Sequence, residues 1–308
     1  MPDTPQRQIA CVEHIGAMAA EIGDLDLRRN LKMRTFMGFV LAPVFRELQP
    51  RLRYTEMGRR GITPMQYYDD FESFPAPHGY GDDFEGRYQL RLCRSVSEGS
   101  GPGAAPIERL IVETRATLTG RAASGPPAAL GYQPALGGPA VAGTGRVLHV
   151  LTRPLAPPGR RWVHEIPQEL AMLELQPLDG PFPTIEGLRS LEPGFAALDA
   201  GCVQLGGIWG VANSDVYQHV HAREYIAAME NGITAALAGA GLAVGDYAAT
   251  RGRIIFRRPS FVGQRYVLDI RLHRRHAEIV ALGAFREADE AADAGRPAVL
   301  LRFDGRLV

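Results

Sequence analysis

The sequence of 308 residues is long enough for two domains of about 150 residues each. Its residues are 45% hydrophobic, 8% aromatic and 22% charged, which is typical of a soluble globular protein and excludes a disordered chain, a coiled coil and a collagen-like fibre. The 34 basic residues balance the 34 acidic residues. The sequence therefore does not indicate a dedicated nucleic-acid-binding protein, which would carry a basic excess.

The cysteines and the first residues of the chain indicate the compartment. Cys11, Cys93 and Cys202 are too few and too scattered for a disulfide framework or a zinc site, so we expect three buried or half-buried free thiols in a reducing compartment. The first residues lack the basic and apolar segments of a signal peptide. No uncharged apolar run approaches the roughly 18 residues that a membrane span needs. Together these features predict a soluble, cytoplasmic protein.

The N-terminal part of the chain shows a faint order of one helix and several strands. Phe36–Leu48 is apolar enough for a buried helix, and Pro43 must kink that helix or mark its first turn. Strand-like runs follow at Gln66–Phe71, Arg87–Arg94 and Arg109–Leu118. We expect these elements to form one structural unit.

Gly120–Gly145 separates this unit from the rest of the chain. It has too little apolar bulk for a core and too much Gly and Pro for a helix, which predicts a loop or linker. We therefore divide the chain into an N-terminal domain (1–120), a linker and connecting segment (121–198) and a C-terminal domain (199–308).

The C-terminal domain has the clearer pattern. Cys202–Val211 is apolar and Gly-rich, as in a buried strand. Apolar side chains then recur at helical spacing from Tyr225 to Leu237. Gly239 and Gly241 are expected to end that helix. The strand-like runs that follow are Arg253–Arg258, Tyr266–Leu272, Ala277–Phe285 and Ala298–Phe303. A lone helix followed by a meander of strands predicts a sheet wrapped around that helix.

The two domains show signs of duplication. GRYQLRL at Gly86–Leu92 resembles QRYVLDIRL at Gln264–Leu272, and both segments follow a turn that contains Pro and Gly. Because the order of elements around the two segments also repeats, we predict that one structural unit occurs twice.

The segment Asn213–Glu230, NSDVYQHVHAREYIAAME, concentrates the residues suited to chemistry. It resembles the signature of hot-dog-fold thioesterases, whose acyl-ACP version is Asp-x-Asn-x-His-Val-Asn-Asn-x-x-Tyr-Ile. The residues that match this signature are Asp215, His219, Val220, Tyr225 and Ile226. Tyr217 stands where many of these enzymes have Asn, and His221 with Ala222 replaces the Asn-Asn pair.

This resemblance implies an α+β double hot-dog fold, in which two antiparallel sheets each wrap around one long helix and join into a continuous sheet. The N-terminal hot-dog is expected to be degenerate, because the loop that we expect to be equivalent, near Arg34–Met37, has neither the Asp nor the His. One working site is then expected per chain, between the two domains and near the start of the second helix.

The resemblance also implies the substrate class. Hot-dog thioesterases act on acyl thioesters of coenzyme A or acyl carrier protein, in pathways such as fatty acid or polyketide biosynthesis. The expected partner is therefore acyl-CoA or an acyl carrier protein, with no nucleic acid and no membrane. No cofactor is expected beyond the coenzyme A or phosphopantetheine of the substrate itself. Hot-dog proteins commonly assemble through sheet edges, so a homo-oligomer is compatible with this fold.

Thioester hydrolysis gives each candidate residue a role. The oxyanion must meet fixed donors, and the first turn of a helix offers unpaired N–H groups and partial positive charge, which favours the amides of Val220–Arg223 as donors to the acyl carbonyl. Asp215 is the expected general base or water-holding group, and His219 is expected to orient the same water or contact the acyl oxygen. The expected substrate-binding residues are Asn213, Tyr217, Val220, His221, Glu230, Tyr67 and Tyr68.

Structural interpretations of the same residues stay open. Asp215 is a standard N-cap residue, and His219 can be a hydrogen-bonded structural histidine. The helical spacing favours Tyr225 as a core residue. His219 and His221 with Glu224 lack a distant fourth ligand, so no metal site is predicted.

Other functions of the same fold also stay open. Asp215 and His219 satisfy the Asp-x-x-x-Gln/His motif in the second half of polyketide dehydratase domains. Such a domain also needs His-x-x-x-Gly-x-x-x-x-Pro in its first half, and neither His14 nor His78 has that spacing, which favours hydrolysis over dehydration. The remaining alternatives are an acyltransferase or decarboxylase of a polyketide-type pathway and a non-catalytic acyl-binding or scaffold protein.

Overall fold

The computed structural model describes residues 8–26, 30–74, 78, 83–98, 105–124, 135–215, 218–288 and 297–308. The strands in these residues are β1 (Val12–Ala19), β2 (Thr63–Ser73), β3 (Asp83–Ser97), β4 (Ile107–Ser124), β5 (Ala135–Thr152), β6 (Leu175–Pro177), β7 (Ala196–Ile208), β8 (Tyr247–Phe256), β9 (Arg265–Arg275), β10 (Glu278–Glu287) and β11 (Val299–Leu307). The α-helices are α1 (Met33–Pro43), α2 (Gln49–Arg51), α3 (Tyr54–Arg59), α4 (Ile185–Arg189) and α5 (Ala222–Gly239). Val44–Leu48 continues α1 as a π-helical turn. Single 3-10 turns lie at Ile22–Asp24, Pro158–Arg160, Gln168–Leu170, Val211–Asn213 and Val244–Asp246.

One continuous sheet contains the two halves of the fold side by side. Its order is β1-β3-β4-β5-β2-β8-β11-β10-β9-β7, and β6 pairs in parallel with β3. The first half follows the chain order β1-α1-β2-β3-β4-β5, and the second half repeats it as β7-α5-β8-β9-β10-β11. The halves meet where β2 and β8 pair in antiparallel fashion, from Tyr68 opposite Ile255 to Glu72 opposite Arg251. This topology confirms the predicted double hot-dog fold.

The central helix of the second half forms as the sequence predicts. Tyr225 and Leu237 are buried on the face of α5 that meets the sheet, so the helical spacing marked core residues correctly. The helix ends at Gly239, and Gly241 follows with a left-handed φ of 69° that suits glycine. A Cβ at Gly232 would overlap the terminal methyl group of Ile270, so α5 packs closely against β9 at this glycine.

Pro43 is the last residue of α1 and does not mark its first turn. Proline has no N–H to donate to the carbonyl of Phe39 one turn earlier. The hydroxyl of Tyr88 on β3 donates to that carbonyl at 2.7 Å. A strand residue thus supplies the hydrogen bond that the proline removes from the helix.

The prediction that Gly120–Gly145 is a loop or linker is wrong for the described residues of this stretch, because β4 and β5 extend into it from both sides and pair with each other. Glycine serves close packing here. A Cβ at Gly143 would overlap the carbonyl oxygen of Glu72 on β2 as well as the ring of Phe36, and a Cβ at Gly145 would crowd Val40. The first helix therefore lies so close to β5 that glycine is required in the strand. The division of the chain at residues 120 and 198 stays a prediction.

The later part of the connecting segment, around Phe182 and Leu188, packs on the face of the sheet opposite to α1 and α5, whereas Leu170 earlier in the segment belongs to the main core. The later part builds a smaller core on that opposite face with strand residues that alternate with those facing the helices. The buried members of this outer core are Tyr68, Cys93, Ile111, Leu148, Val150, Leu188, Ile255 and Leu300. Arg302 on β11 donates to the carbonyls of Leu188 and Ser190. The segment is thereby attached to the second half as well as the first.

The sequence repeat falls on equivalent strands, β3 and β9, but not on equivalent positions. Tyr88 pairs with His14, whereas Tyr266 pairs with Gly207. When the two halves are aligned on the loops that follow β1 and β7, Gly207 corresponds to Met18. The partner of Tyr88 is His14, four residues earlier. The repeat therefore reflects similar residue composition in equivalent strands and not a shared register.

Two further features bear on the predicted compartment. Cys11 is half-buried and Cys93 is buried, but Cys202 is exposed, so the prediction of three covered thiols is wrong for this last residue, which lies on the edge strand β7. Among the helices that the structure describes, none is both long enough and apolar enough to cross a membrane.

Candidate active site

A compact loop joins β7 to α5 and contains the predicted catalytic residues. The Asp215 N–H donates to the carbonyl of His219 at 2.9 Å, and the His219 N–H donates to the Asp215 carboxylate at 3.1 Å. Asn213 closes the base of the loop, because its Oδ1 accepts from the Gly210 N–H at 2.9 Å. Its carbonyl accepts from the His221 N–H at 2.8 Å. The loop is thus held together by its own side chains before it reaches the helix.

The turn between β8 and β9 fixes this loop in place. The Val220 N–H donates to the carbonyl of Ser260 at 2.8 Å, and the Val262 N–H donates to that of Gln218 at 3.2 Å. The ring of His219 packs edge-on against Phe261, with the ring centroids 5.0 Å apart. These contacts leave His219 half-buried and its ring orientation restricted.

His221, and not Asp215, is the N-cap of α5. The Nδ1 atom of His221 accepts from the Arg223 N–H at 3.3 Å. Burial, together with the nearby positive charge of Arg223, lowers the pKa of His221 and favours the neutral imidazole that an acceptor requires. The Asp215 side chain is exposed and bonds the backbone of its own loop. The interpretation of Asp215 as the helix N-cap is therefore wrong.

Of the four backbone N–H groups of Val220–Arg223, which were expected to face an acyl carbonyl, three donate hydrogen bonds within the protein. Those of Val220 and His221 donate to backbone carbonyls, and that of Arg223 donates to the N-cap. In the part of the chain that the structure describes, the N–H of Ala222 alone among the four has no acceptor. Ala222 is the first residue of α5, where the helix carries partial positive charge. The expected set of oxyanion donors is thus reduced to one group.

Glu230 lies at the start of α1 and not at the loop. Its Oε1 accepts from the Arg34 N–H at 3.4 Å, across the junction between the two halves. Burial raises the pKa of Glu230, and hydrogen bonds from the backbone of Arg34 and Met33 oppose that rise. The contacts of Glu230 are those of an N-terminal cap for the first helix, and its role in substrate binding stays a prediction.

Tyr67 and Tyr68 lie on the opposite face of the sheet from α5. Tyr67 stacks on Phe182 with the ring centroids 4.7 Å apart, and its hydroxyl donates to the carbonyl of Pro183 at 3.1 Å. Tyr68 belongs to the outer core and donates to the carboxylate of Asp70 at 3.1 Å. The structure therefore does not bring either tyrosine to the loop, and both pack beneath the connecting segment.

A cavity of about 310 Å³ lies beside the loop, between α5 and the sheet. Asn213 and Glu224 form part of its wall, and the Asn213 amide donates to Glu224 Oε2 at 3.0 Å. Trp209 and Tyr266, stacked with ring centroids 4.1 Å apart, form an apolar part of the wall. The sequence indicated Glu224 only as a possible metal ligand and not as part of a cavity wall. The signal that marks this wall is the small residue Ala228, one helical turn beyond Glu224.

The loop before α1 repeats the hydrogen bonds of the loop before α5. The Asp24 carboxylate accepts from the Glu21 N–H at 2.8 Å, just as Asn213 accepts from Gly210. The carbonyl of Asp24 likewise accepts from the first residue after the loop, Lys32, at 2.9 Å. The described residues of the two loops are therefore equivalent, with Asp24 in the position of Asn213 and Lys32 in that of His221.

This equivalence corrects the prediction that the corresponding loop lies near Arg34–Met37 and lacks an Asp. Asp26 holds the position of Asp215, because its N–H donates to the carbonyl of Asn30 and its carboxylate accepts from the Asn30 N–H, both at 2.9 Å. Asn30 stands where the second half has His219. The first half thus keeps the carboxylate and lacks only the imidazole.

Two further predictions concern metal binding and Tyr217. The structure describes no group of three or more His, Cys, Asp or Glu side chains arranged to hold a metal ion in the residues that it covers. Tyr217, a predicted substrate-binding residue, lies outside the described residues.

Three thioesterases of known structure are similar to nearly the whole chain. A protein assigned as an oleoyl thioesterase from Lactobacillus plantarum matches with a TM-score of 0.66 and 9% identity, over 97% of each chain. An acyl-ACP thioesterase from Bacteroides thetaiotaomicron matches with a TM-score of 0.59 and 10% identity, over 96% of this chain and 98% of that chain. The 12:0-ACP thioesterase from Umbellularia californica matches with a TM-score of 0.60 and 13% identity, over 96% of this chain and 94% of that chain.

No protein-family model and no curated protein matches the amino-acid sequence. The chain therefore shares the double hot-dog fold with these thioesterases at a sequence identity of only 9–13%.

Proposed function

We propose that the protein hydrolyses an acyl thioester of coenzyme A or of acyl carrier protein. Many functions share one fold, so the proposal depends on the site and not on the fold alone. The observation that carries it is the loop that holds Asp215 beside His219 at the start of α5. The likeness of the whole chain to three thioesterases supports the same reaction.

In the proposed reaction, water attacks the carbonyl carbon of the thioester while its proton passes to the Asp215 carboxylate. A C–O bond forms and the carbonyl oxygen becomes an oxyanion. The C–S bond then breaks, and the proton moves from Asp215 to the departing thiolate, which gives a carboxylic acid and a free thiol. Asp215 is suited to this role because its side chain is exposed at the surface of a firmly held loop.

The Ala222 N–H is the proposed donor to the oxyanion. It lies at the positive end of α5, and no described group accepts a hydrogen bond from it. His219 is the proposed water-orienting group, because its contact with Phe261 restricts the ring. Each of these roles uses a group whose position is set before the substrate binds.

Substitution of Asp215 tests the proposal. Asp215→Ala is expected to lower kcat/KM for thioester cleavage by at least about 100-fold, because the general base is lost. Asp215→Asn keeps an acceptor for the His219 N–H and is expected to lose a similar factor while the loop keeps its fold. The measurement is thiol release from a panel of acyl-CoAs and from the same acyl groups loaded on a carrier protein.

Asp26→Ala is the matched control. It removes the corresponding hydrogen bond from the loop of the first half and is expected to keep the wild-type rate. Wild-type rates in both Asp215 variants would show that the site is assigned wrongly. A wild-type protein that binds acyl-CoA but releases no thiol would instead support the acyl-binding alternative.

A further inference from the structure

The cavity beside the catalytic loop has a counterpart in the first half that is filled. Counted from the two equivalent loops, Phe39 of α1 holds the position of Ala228 in α5. The ring of Phe39 packs against Phe84, with the ring centroids 5.8 Å apart. The second half has a cavity because Ala228 leaves unfilled the space that a phenylalanine fills in the first half.

The cavity borders the loop of the proposed site at Asn213. Glu224, Ala228 and Asn231 line it from one face of α5, and the same helix begins with the Ala222 N–H. Asn213 belongs both to the loop and to the wall of the cavity. The cavity therefore adjoins the start of α5, where the proposed site lies.

The wall combines an apolar surface with one charged group. Trp209 and Tyr266 offer stacked rings to the body of an acyl group. Glu224 is half-buried, and its oxygens accept from the Asn213 amide at 3.0 Å and from the Arg223 guanidinium at 3.1 Å. A carboxylate retains acceptor capacity beyond two such bonds, and it repels a second carboxylate. This wall favours a ligand group that donates a hydrogen bond.

We infer, on the basis of the proposed hydrolysis, that this cavity binds the acyl group and that the substrate is a short hydroxyacyl thioester. A volume of about 310 Å³ is at the lower end of the range for ligand pockets, about 300–1,000 Å³, and it matches a short acyl group better than a long fatty acyl chain. The hydroxyl group donates to Glu224, while the apolar part of the acyl group lies against the rings of Trp209 and Tyr266.

The first test gives the second half the residue of the first half. Ala228→Phe is expected to lower kcat/KM for 3-hydroxybutyryl-CoA at least about 10-fold, mainly by raising KM, because the added ring occupies the space of the acyl group. Ala238→Phe, at an exposed position of the same helix, is the control and is expected to keep the wild-type value. Ala228→Leu fills the space with a smaller side chain and replaces the phenylalanine variant if that variant does not fold.

The second test measures the preference for the hydroxyl group. The wild-type protein is expected to cleave 3-hydroxybutyryl-CoA about 10- to 100-fold more efficiently than butyryl-CoA, the range that a hydrogen bond to a charged group supports. Glu224→Gln keeps the shape of the wall without its charge and is expected to bring this ratio close to one.

The outcomes separate this inference from the proposed function. The inference is overturned, and hydrolysis stays supported, if the Ala228→Phe variant cleaves the thioester with an unchanged KM. The same conclusion follows if the wild-type protein prefers butyryl-CoA or palmitoyl-CoA. If the wild-type protein releases no thiol from any thioester, hydrolysis fails and the cavity is tested by binding. Titration with 3-hydroxybutyryl-CoA is then expected to change the fluorescence of Trp209 in the Ala238→Phe variant but not in the Ala228→Phe variant. If the fluorescence changes in neither variant, the inference is overturned.

Discussion

The carboxyl group of Asp69 is completely buried on the strand where the two halves of the sheet meet, and Gln66 donates to both of its oxygens at 2.8 and 2.7 Å. Burial raises the pKa of Asp69 to about 8, against the effect of these hydrogen bonds, and the neighbouring Asp70 carboxylate adds to the rise. His149 on the adjacent strand β5 is buried as well, and burial lowers its pKa to about 4. Both side chains are therefore neutral in the folded protein near pH 6.

This pair makes a specific prediction for the pH dependence of stability. Between about pH 4 and 6.5, folding binds one proton at Asp69 and releases one at His149, so the two effects cancel. From pH 6.5 to about 8, Asp69 is the member of this pair whose protonation differs between the folded and the unfolded state. The folded state then holds one more proton than the unfolded state, so the free energy of unfolding falls as pH rises, by about 2 kcal/mol in total.

Urea unfolding at a series of pH values from 6 to 8.5 checks this prediction. Asp69→Asn is expected to remove the fall above pH 6.5, because the amide does not titrate. Asp199→Asn, at an exposed position, is the control and is expected to keep the wild-type slope. Equal slopes in wild type and Asp69→Asn would contradict the assignment of the fall to this carboxyl group.

At the scale of the element, the start of α5 determines which backbone groups remain available for a substrate. His221 caps the helix and the surrounding loop occupies the neighbouring amides, so the available donor belongs to Ala222. Proline is well tolerated at the first position of a helix, because the N–H it lacks has no partner within the helix. The extended backbone of His221, with φ −66° and ψ 138°, suits a residue before proline.

Ala222→Pro is therefore expected to remove the oxyanion donor without unfolding the helix. The expected result is a decrease in kcat of about 100- to 1,000-fold, the usual loss when one such donor is removed. Ala222→Gly keeps the N–H and is expected to retain most of the activity. The measurements are kcat for thioester cleavage and the thermal unfolding midpoint. A wild-type kcat in the proline variant would exclude this N–H as the donor.

The elements that the sequence predicted are those governed by local pattern. The helical spacing located α5, and the spacing from Asp215 to His219 lies within one loop whose hydrogen bonds are local. Elements governed by distant contacts were misread. Glycines in β5 such as Gly143 suggest a loop by composition, but a side chain at Gly143 would meet the Glu72 carbonyl on β2 and the Phe36 ring on α1, both far away in the sequence. Glu230 was predicted to bind substrate, and the contact that the sequence could not reveal is the one with the start of α1.

At the scale of the whole molecule, the connecting segment covers the outer face of the sheet and joins its two halves. Phe182 stacks on Tyr67 of the first half, and Leu188 is buried to 4% exposure among residues of both halves. The sequence offered no sign of this role, because the apolar residues of the segment follow no periodic pattern. Its burial depends on strand faces that exist only once the sheet has formed.

The outer core is expected to stabilise the whole fold measurably. Leu188→Ala is expected to lower the free energy of unfolding by about 2–5 kcal/mol, because it removes buried apolar contacts and leaves a void. Leu155→Ala, at a fully exposed leucine of the same segment, is expected to change it by less than about 0.5 kcal/mol. Urea unfolding compares the two variants. Similar values for both would mean that the segment adds no stability through this core.

The hydrogen bond from Tyr88 to the carbonyl that Pro43 leaves without a partner has a consequence for the difference between the halves. That carbonyl belongs to Phe39, the residue whose ring occupies the first-half counterpart of the cavity. Truncating the ring would leave the carbonyl, the proline and the tyrosine hydroxyl in place, because none of them depends on the side chain of residue 39. The filled counterpart in the first half therefore depends on the side chain of Phe39 and not on the main chain, so a variant that lacks this ring is expected to open a second space while the hydrogen bond that compensates for Pro43 stays in place.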